Sequence, residues 1–284
     1  MLVNLKTVLE IAERNNTAIG SFNVTCLDSL HAVIIAAEEL NVPVIIMHAE
    51  IHNTYNDISV IGPIMARAAE NAKVPVCVHL DHGTSFEMIY RAIRIGFTSV
   101  MYDGSELPYD INVENTKKVV EISKPLGISV EAELGRMATR EGGEPNADTS
   151  NFKPEEFYTV PSKAKTFACS TGIDALAIAF GTQHGFYKQT PVLDFDVIKN
   201  VRLATGGMPL VMHGGSGVSD EGFKAAIKSG IRKINYYSYM SGAGYDAICR
   251  QIRLGDSKYH HDLNLAARKA MKENTKKALE VFSS

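Results

Sequence analysis

Two periods alternate along this chain. Short apolar runs bounded by Pro, Gly, Asn or Asp occur at residues 18–24, 43–49, 75–80, 98–102, 128–134, 173–180, 209–213 and 231–237, and each has the length of a strand. Between and beyond them, apolar positions recur at helical spacing over 5–14, 28–40, 58–71, 86–95, 112–126, 161–171, 195–204, 220–229, 240–253 and 262–281. Local stops support these bounds: Asn15-Asn16 ends the first helix, Pro43 follows the second, and Gly96, Gly127 and Gly230 close later ones. Eight strand-helix alternations predict an α/β fold, a parallel (β/α)8 barrel of the TIM type with extra N- and C-terminal helices, as one domain over 1–284. The first helix is placed to cap the bottom of the barrel. A doubly wound open sheet is the structural rival.

Chemistry concentrates where these strands end. The third strand runs Pro-Val-Cys-Val-His-Leu-Asp-His-Gly into Asp81 and His82, the sixth leads through a glycine-bounded turn to His184, and the seventh ends at His213. A strand-end histidine can be a structural residue. Three in the same setting point instead to a catalytic zinc site, in which three imidazoles leave a fourth position open. Convergence of the third, sixth and seventh strands also favours a closed barrel over an open sheet. In the fifth strand Glu131 and Glu133 are two residues apart, which puts both carboxylates on one face.

His213 opens into Gly214-Gly215-Ser216-Gly217 ahead of a helix start at Ser219-Asp220, a pattern suited to a phosphate cradle as well as to a simple tight turn. The end of the eighth strand, Asn235-Tyr236-Tyr237-Ser238, could supply further amide and hydroxyl groups, and Lys188, shortly after His184, a positive charge. From Gly135 to Lys153 the composition turns to Arg, Thr, Glu, Gly, Pro and Asn, which predicts a long active-site lid.

Composition narrows the remaining possibilities. Of 284 residues, 45% are hydrophobic, enough for a large core. The net charge of −3, from 29 basic and 32 acidic residues, gives no global attraction to nucleic acid or acidic lipid. Cys26, Cys77, Cys169 and Cys249 lack paired spacing, so reduced thiols and a cytoplasmic location are expected. No basic leader precedes an apolar stretch, and no apolar run reaches spanning length, so neither secretion nor membrane association is expected.

The chain resembles the class II, zinc-dependent ketose-bisphosphate aldolases, in particular their fructose- and tagatose-bisphosphate branch. The blocks that carry the resemblance are His79-Leu80-Asp81-His82, Glu131-Ala132-Glu133-Leu134-Gly135, Gly181-Thr182-Gln183-His184-Gly185 and His213-Gly214-Gly215-Ser216-Gly217. It extends from Ser21-Phe22-Asn23 to Ala267-Arg268-Lys269-Ala270-Met271. The resemblance implies a metal-dependent lyase that cleaves a phosphorylated ketose, fructose- or tagatose-1,6-bisphosphate-like, into dihydroxyacetone phosphate and an aldehyde. His82, His184 and His213 would bind Zn²⁺, with Asp103 and Glu133 either holding a second or displaced metal or supporting the histidines. Asp81 would exchange the proton of the C4 hydroxyl. The phosphate would contact Gly185, Lys188, Gly214, Gly215, Ser216, Asn235 and Ser238, with room for a monovalent cation and a homo-oligomeric assembly, dimer or tetramer.

Three departures from the family pattern leave questions open. In place of the usual Gly-Gly-x-Glu-Asp loop stands Arg136-Met137-Ala138-Thr139-Arg140-Glu141-Gly142-Gly143-Glu144, so the lid base is Glu141 in ungapped register and Glu144 if the glycines are matched. Tyr236-Tyr237 replaces small residues or an Asp, and period two allows only one of the pair to face the pocket. Ser257-Lys258-Tyr259 stands where relatives place an Arg, whose bidentate geometry Lys cannot reproduce. The alternatives are a catalytically weak sugar-phosphate-binding or scaffold subunit on the same fold, and another metal-dependent barrel enzyme.

Overall fold

The computed structural model describes residues 1–135, 157–187, 191–255 and 257–284. In chain order the elements are β1 (Leu2–Val3), α1 (Leu5–Asn15), β2 (Ile19–Asn23), α2 (Leu27–Leu40), β3 (Val44–Ala49), α3 (Ile58–Asn71), β4 (Val76–Gly83), α4 (Phe86–Ile95), β5 (Ser99–Tyr102), α5 (Tyr109–Ser123) and β6 (Ser129–Leu134). They continue with α6 (Pro161–Thr171), β7 (Ala175–Ile178), α7 (Phe195–Ala204), β8 (Leu210–Met212), α8 (Asp220–Ser229), β9 (Ile231–Asn235), α9 (Ser238–Leu254) and α10 (His260–Phe282). Strands β2 to β9 pair in parallel with their sequence neighbours, and β9 returns to β2 through Ile19↔Lys233 and Ser21↔Asn235. The result is the expected closed eight-stranded (β/α)8 barrel, not an open sheet.

Two hydrophobic layers follow from the strands' alternation. One face packs against the surrounding helices in a continuous core that includes Phe22, Ile46, Phe167, Phe180 and Phe282. Inside the barrel's lower end, Ile19, Ile45, Cys77, Ala175, Ala177 and Val211 meet Leu5, Val8, Leu9 and Ala12 of α1. This first helix plugs the bottom. It is begun by Asn4, whose side chain accepts the Thr7 amide at 3.0 Å, and ended by Asn16 in a left-handed conformation.

Element ends differ from the sequence reading where a tertiary contact or a local cap decides. The two-residue β1 owes its strand geometry to pairing with β4 and has no periodicity of its own. Helix α5 stops at Ser123, and Lys124–Leu126 tightens into a 3-10 turn containing Pro125, which lacks the amide needed to continue. Helix α10 starts two residues earlier than periodicity suggests because Asp262 reaches back to the amides of Lys258 and Tyr259 at 3.3 and 3.2 Å. Among the described residues no helix is long and apolar enough to cross a membrane. The four cysteines are free thiols.

Candidate active site

The candidate site residues gather at the C-terminal mouth of the barrel, and a fault in β4 makes this possible. Strict alternation sends Asp81 and His82 to opposite faces of the sheet. Instead, the β4–β5 register shifts between Leu80 and Gly83, and His82 takes φ 44, a left-handed value rarely adopted by a residue with a side chain. Both residues therefore enter the mouth. The signal for this in sequence is the adjacent Asp-His pair itself, which no regular strand can present on one side.

The ring centroids of His82 and His213 are 4.6 Å apart, those of His82 and His184 5.0 Å, and those of His184 and His213 5.9 Å. One ligand atom from each of the three lies within 4.8 Å of the others, as do ligand atoms of His82, Asp103 and Glu133. His82 directs Nδ1 to Asp103 Oδ2 at 2.7 Å, and His213 directs Nε2 to Glu131 Oε1 at 2.9 Å. A carboxylate behind each imidazole fixes its tautomer and turns the other nitrogen's lone pair toward the cluster. Burial pushes the His213 imidazole pKa down, which keeps it neutral and able to ligate.

The donor set suits a divalent transition metal. His213 Nδ1 is buried without a hydrogen bond and lies 3.4 Å from Glu133 Oε2, which is likewise buried without one. Burial, and then the charge of Asp103, raise the Glu133 carboxyl well above its ordinary value of 4.5. A cation among these atoms would relieve both costs. Glu131 and Glu133 share one face, as period two requires, yet do different things. Glu131 points to His213 and Lys233, and Glu133 points to the histidine cluster.

Asp81 is held by two amides. Asn23 of β2 donates Nδ2 to Oδ2 and Asn235 of β9 donates Nδ2 to Oδ1, both at 3.0 Å. Burial raises the Asp81 carboxyl, but the neighbouring His82, His213 and Lys233 outweigh this and hold it below the ordinary 3.8. Asn235, expected among the phosphate contacts, thus directs its amide nitrogen to Asp81. Asn23 entered the sequence reading only as part of the Ser21-Phe22-Asn23 block, and its partnership with Asp81 comes from the approach of β2 to β4 across the mouth.

A cavity of about 370 Å³ extends beside the histidines and is lined by His184, Gly185, Gly214, Gly215, Ser216, Asn235 and Ser238 among others. A side chain on Gly214, at φ +63, would run into the Gln183 carbonyl, so only glycine permits this close approach of the two loops. Tyr187, which the sequence did not flag, joins the same loops: its hydroxyl accepts from the Gln183 amide at 2.8 Å and donates to the Gly214 carbonyl at 2.9 Å. The helix N-terminus on the cavity is that of α9, since Ser216 Oγ accepts the Tyr237 and Tyr239 amides at 3.1 and 3.5 Å. The start of α8 is closed by its own Ser219 cap at 3.1 Å and carries Asp220 and Glu221. Lys188, Glu141 and Glu144 lie outside the described residues.

A parallel barrel with a buried Asp and a three-histidine cluster able to hold a metal at its mouth is the architecture of a barrel enzyme with a candidate metal site. Comparison with known proteins narrows the class. The sequence profile of the family described as fructose-bisphosphate aldolase class-II matches residues 3–284. A fructose-bisphosphate aldolase of Staphylococcus aureus is 36% identical over 290 residues, covering 100% of this chain and 98% of its own length. The crystal structure of the YdjI aldolase from Escherichia coli K12 superposes with a TM-score of 0.87 at 37% identity, covering 99% of this chain and 97% of that one. The fructose-bisphosphate aldolase of Campylobacter jejuni, 22% identical with a TM-score of 0.78 over 99% of this chain and 95% of that one, shares the fold. The chain belongs to the class II fructose-bisphosphate aldolase family, and its family supports an aldolase reaction.

Proposed function

We propose that the protein is a metal-dependent aldolase that reversibly cleaves a phosphorylated ketose into dihydroxyacetone phosphate and an aldehyde. The observation that carries this reading is the placement of Asp81, bonded on both oxygens, beside three histidines whose ligand atoms lie within 4.8 Å. His82, His184 and His213 would hold the metal, for which Zn²⁺ suits an all-nitrogen set, and when bound it would supply Lewis acidity toward the ketose carbonyl. Asp103 and Glu131 orient two of these imidazoles. Asp81, kept ionised, accepts the proton of the C4 hydroxyl as the C3–C4 bond breaks and returns it in the reverse direction. Asn23 and Asn235 fix the direction in which that carboxylate points. The three-carbon phosphate sits against Gly185, Gly214, Gly215, Ser216 and Ser238, which line the cavity beside the start of α9. Lys188 and Glu141 complete the assignment as phosphate cation and lid base.

The test combines metal analysis with product identification. Incubation with a strong chelator should abolish ketose cleavage, and added Zn²⁺ should restore it. His82→Ala, His184→Ala and His213→Ala should each bind markedly less metal. Full activity in metal-free protein excludes this mechanism. Stoichiometric metal with no cleavage of any ketose phosphate favours the binding-subunit alternative.

A further inference from the structure

The cavity does not end at the metal and the phosphate cradle. It continues to the short 3-10 turn Glu50–Thr54 that follows β3, where Ile51, His52 and Tyr55 line it together with Tyr237 and Tyr245. His52 is 3% exposed. Its ring lies 5.1 Å from that of Tyr237 and 5.7 Å from that of Tyr55, so an imidazole and two phenols form one continuous aromatic wall. The neighbouring Tyr236 also borders the cavity, but its ring is turned into the core. It packs against Phe22 and Phe282, at 5.9 and 6.1 Å, while Tyr237, at the start of α9, turns to the cavity and His52. Tyr237 is also anchored through its backbone, since its amide donates to Ser216 Oγ at 3.1 Å. One residue thus spans the cradle and the wall.

We propose that His52 and Tyr237 determine specificity for the aldehyde half of the substrate and select an unphosphorylated, hydroxyl-bearing aldehyde over its phosphorylated counterpart. This rests on the reading of Asp81 given above. Asp81 marks C4, the first carbon of the aldehyde half. With the three-carbon phosphate on the β8 and β9 side, the aldehyde chain extends from Asp81 toward β2 and β3. Asn23 of β2 bonds Asp81, β2 pairs with β3, and β3 leads directly into the turn that carries His52. The chain therefore meets His52 and Tyr237.

The chemistry of that wall decides what it accepts. A phosphate dianion is recognised by cations and convergent N–H donors. Among the described residues that line the cavity there is no Lys or Arg, and the wall offers aromatic faces, whose quadrupole is negative, with an imidazole and phenolic hydroxyls. A second phosphate here would lose its hydration against surfaces that give little in return. A neutral polyol chain loses much less, can lay its C–H faces on the rings, and can exchange hydrogen bonds with the imidazole and phenol groups.

The experiment measures condensation of dihydroxyacetone phosphate by the metal-loaded enzyme with glyceraldehyde or with glyceraldehyde 3-phosphate, and compares kcat/KM for the two aldehydes. The unphosphorylated aldehyde should be preferred by about tenfold or more, and Tyr237→Ala and His52→Ala should each reduce that ratio by a similar factor. Should an alanine variant fail to fold, Tyr237→Phe and His52→Gln probe the same groups with volume retained, and the wild-type ratio stands as a test by itself. Preference of the wild-type enzyme for glyceraldehyde 3-phosphate overturns the inference while leaving the aldolase reading intact. So does a ratio that no variant moves. Metal-loaded enzyme that condenses neither aldehyde overturns the aldolase reading and the inference with it.

Discussion

Lys233 and Glu131 form an ion pair at 2.8 Å inside the barrel, with both side chains fully buried. Lys233 Nζ also reaches Glu131 Oε1 at 3.1 Å, the same oxygen that receives His213 Nε2 at 2.9 Å. A cation below, a carboxylate in the middle and an imidazole above therefore form one column pointing at the histidine cluster. Lys233→Met should leave Glu131 as a buried carboxylate without its counter-ion and cost about 3–5 kcal/mol of stability. With the carboxylate no longer held, metal affinity should fall by about 10–100-fold. Thermal unfolding of metal-free protein reads the first effect, and competition against a graded series of chelators reads the second. Unchanged metal affinity would show that the column supports the barrel only.

The same pair predicts a pH dependence with a definite sign. Burial raises the Glu131 carboxyl, but Lys233 and His213 outweigh it and hold the pKa at about 2, against an ordinary 4.5. A carboxyl whose folded value is depressed adds stability above its unfolded value, and that stability is lost as pH falls through the folded value. Glu131→Gln should therefore be much less stable than wild type above about pH 4.5, and the gap in Tm should close as the pH falls toward about 2. A gap constant across this window would mean that Glu131 acts by shape and not by charge.

Barrel architecture was legible because it rests on repeated local signals, namely eight apolar runs and a helix stop after nearly every helical stretch. The three histidines and Asp81 were legible for a similar reason, as each closes or follows an apolar strand. Less legible were residues whose importance comes from what the barrel brings beside them. Lys233 reads as one polar position in an eighth strand, and only closure of β9 onto β2, with convergence of the inner faces, sets it against Glu131. Asn23 likewise becomes a partner of Asp81 because β2, β4 and β9 approach across the mouth. The Tyr236-Tyr237 pair was half legible: alternation required one of the two to face the pocket, but only the packing of Phe22 and Phe282 decides that it is Tyr237. The phosphate-side helix was read from adjacency in sequence as α8, whereas Ser216 ties the cradle to the start of α9, which is near it only in space.

Gly214 joins the cradle to the loop that carries His184, and its backbone makes a direct test possible. At φ +63, an added methyl meets both left-handed strain and the Gln183 carbonyl, whereas Gly206, at φ +70, has open space around the same position. Gly206→Ala thus reports strain alone, about 1–2 kcal/mol. Gly214→Ala should lower Tm by clearly more and raise KM for dihydroxyacetone phosphate, because the two loops must separate. Equal effects of the two substitutions would remove the case for close loop packing as a requirement of the cradle.

The last prediction separates two proton transfers that the proposed mechanism assigns to different carboxylates. In that mechanism Asp81, held between Asn23 and Asn235, works on the C4 hydroxyl. The second transfer, removal of a carbon-bound proton of the three-carbon product, belongs to the lid carboxylate, Glu141 in ungapped register. Asp81→Ala should therefore abolish ketose cleavage while metal stays bound and dihydroxyacetone phosphate still exchanges a carbon-bound proton with solvent. Glu141→Ala should suppress exchange and cleavage together. General acid-base groups contribute about 10²- to 10⁴-fold, so each loss is large enough to resolve. The measurement is deuterium incorporation into dihydroxyacetone phosphate, with metal content determined first for every variant. Normal exchange in Glu141→Ala combined with loss in Glu144→Ala would move the lid base to Glu144. Loss of exchange in Asp81→Ala with metal retained would mean that one carboxylate serves both steps, and the division of labour would have to be abandoned.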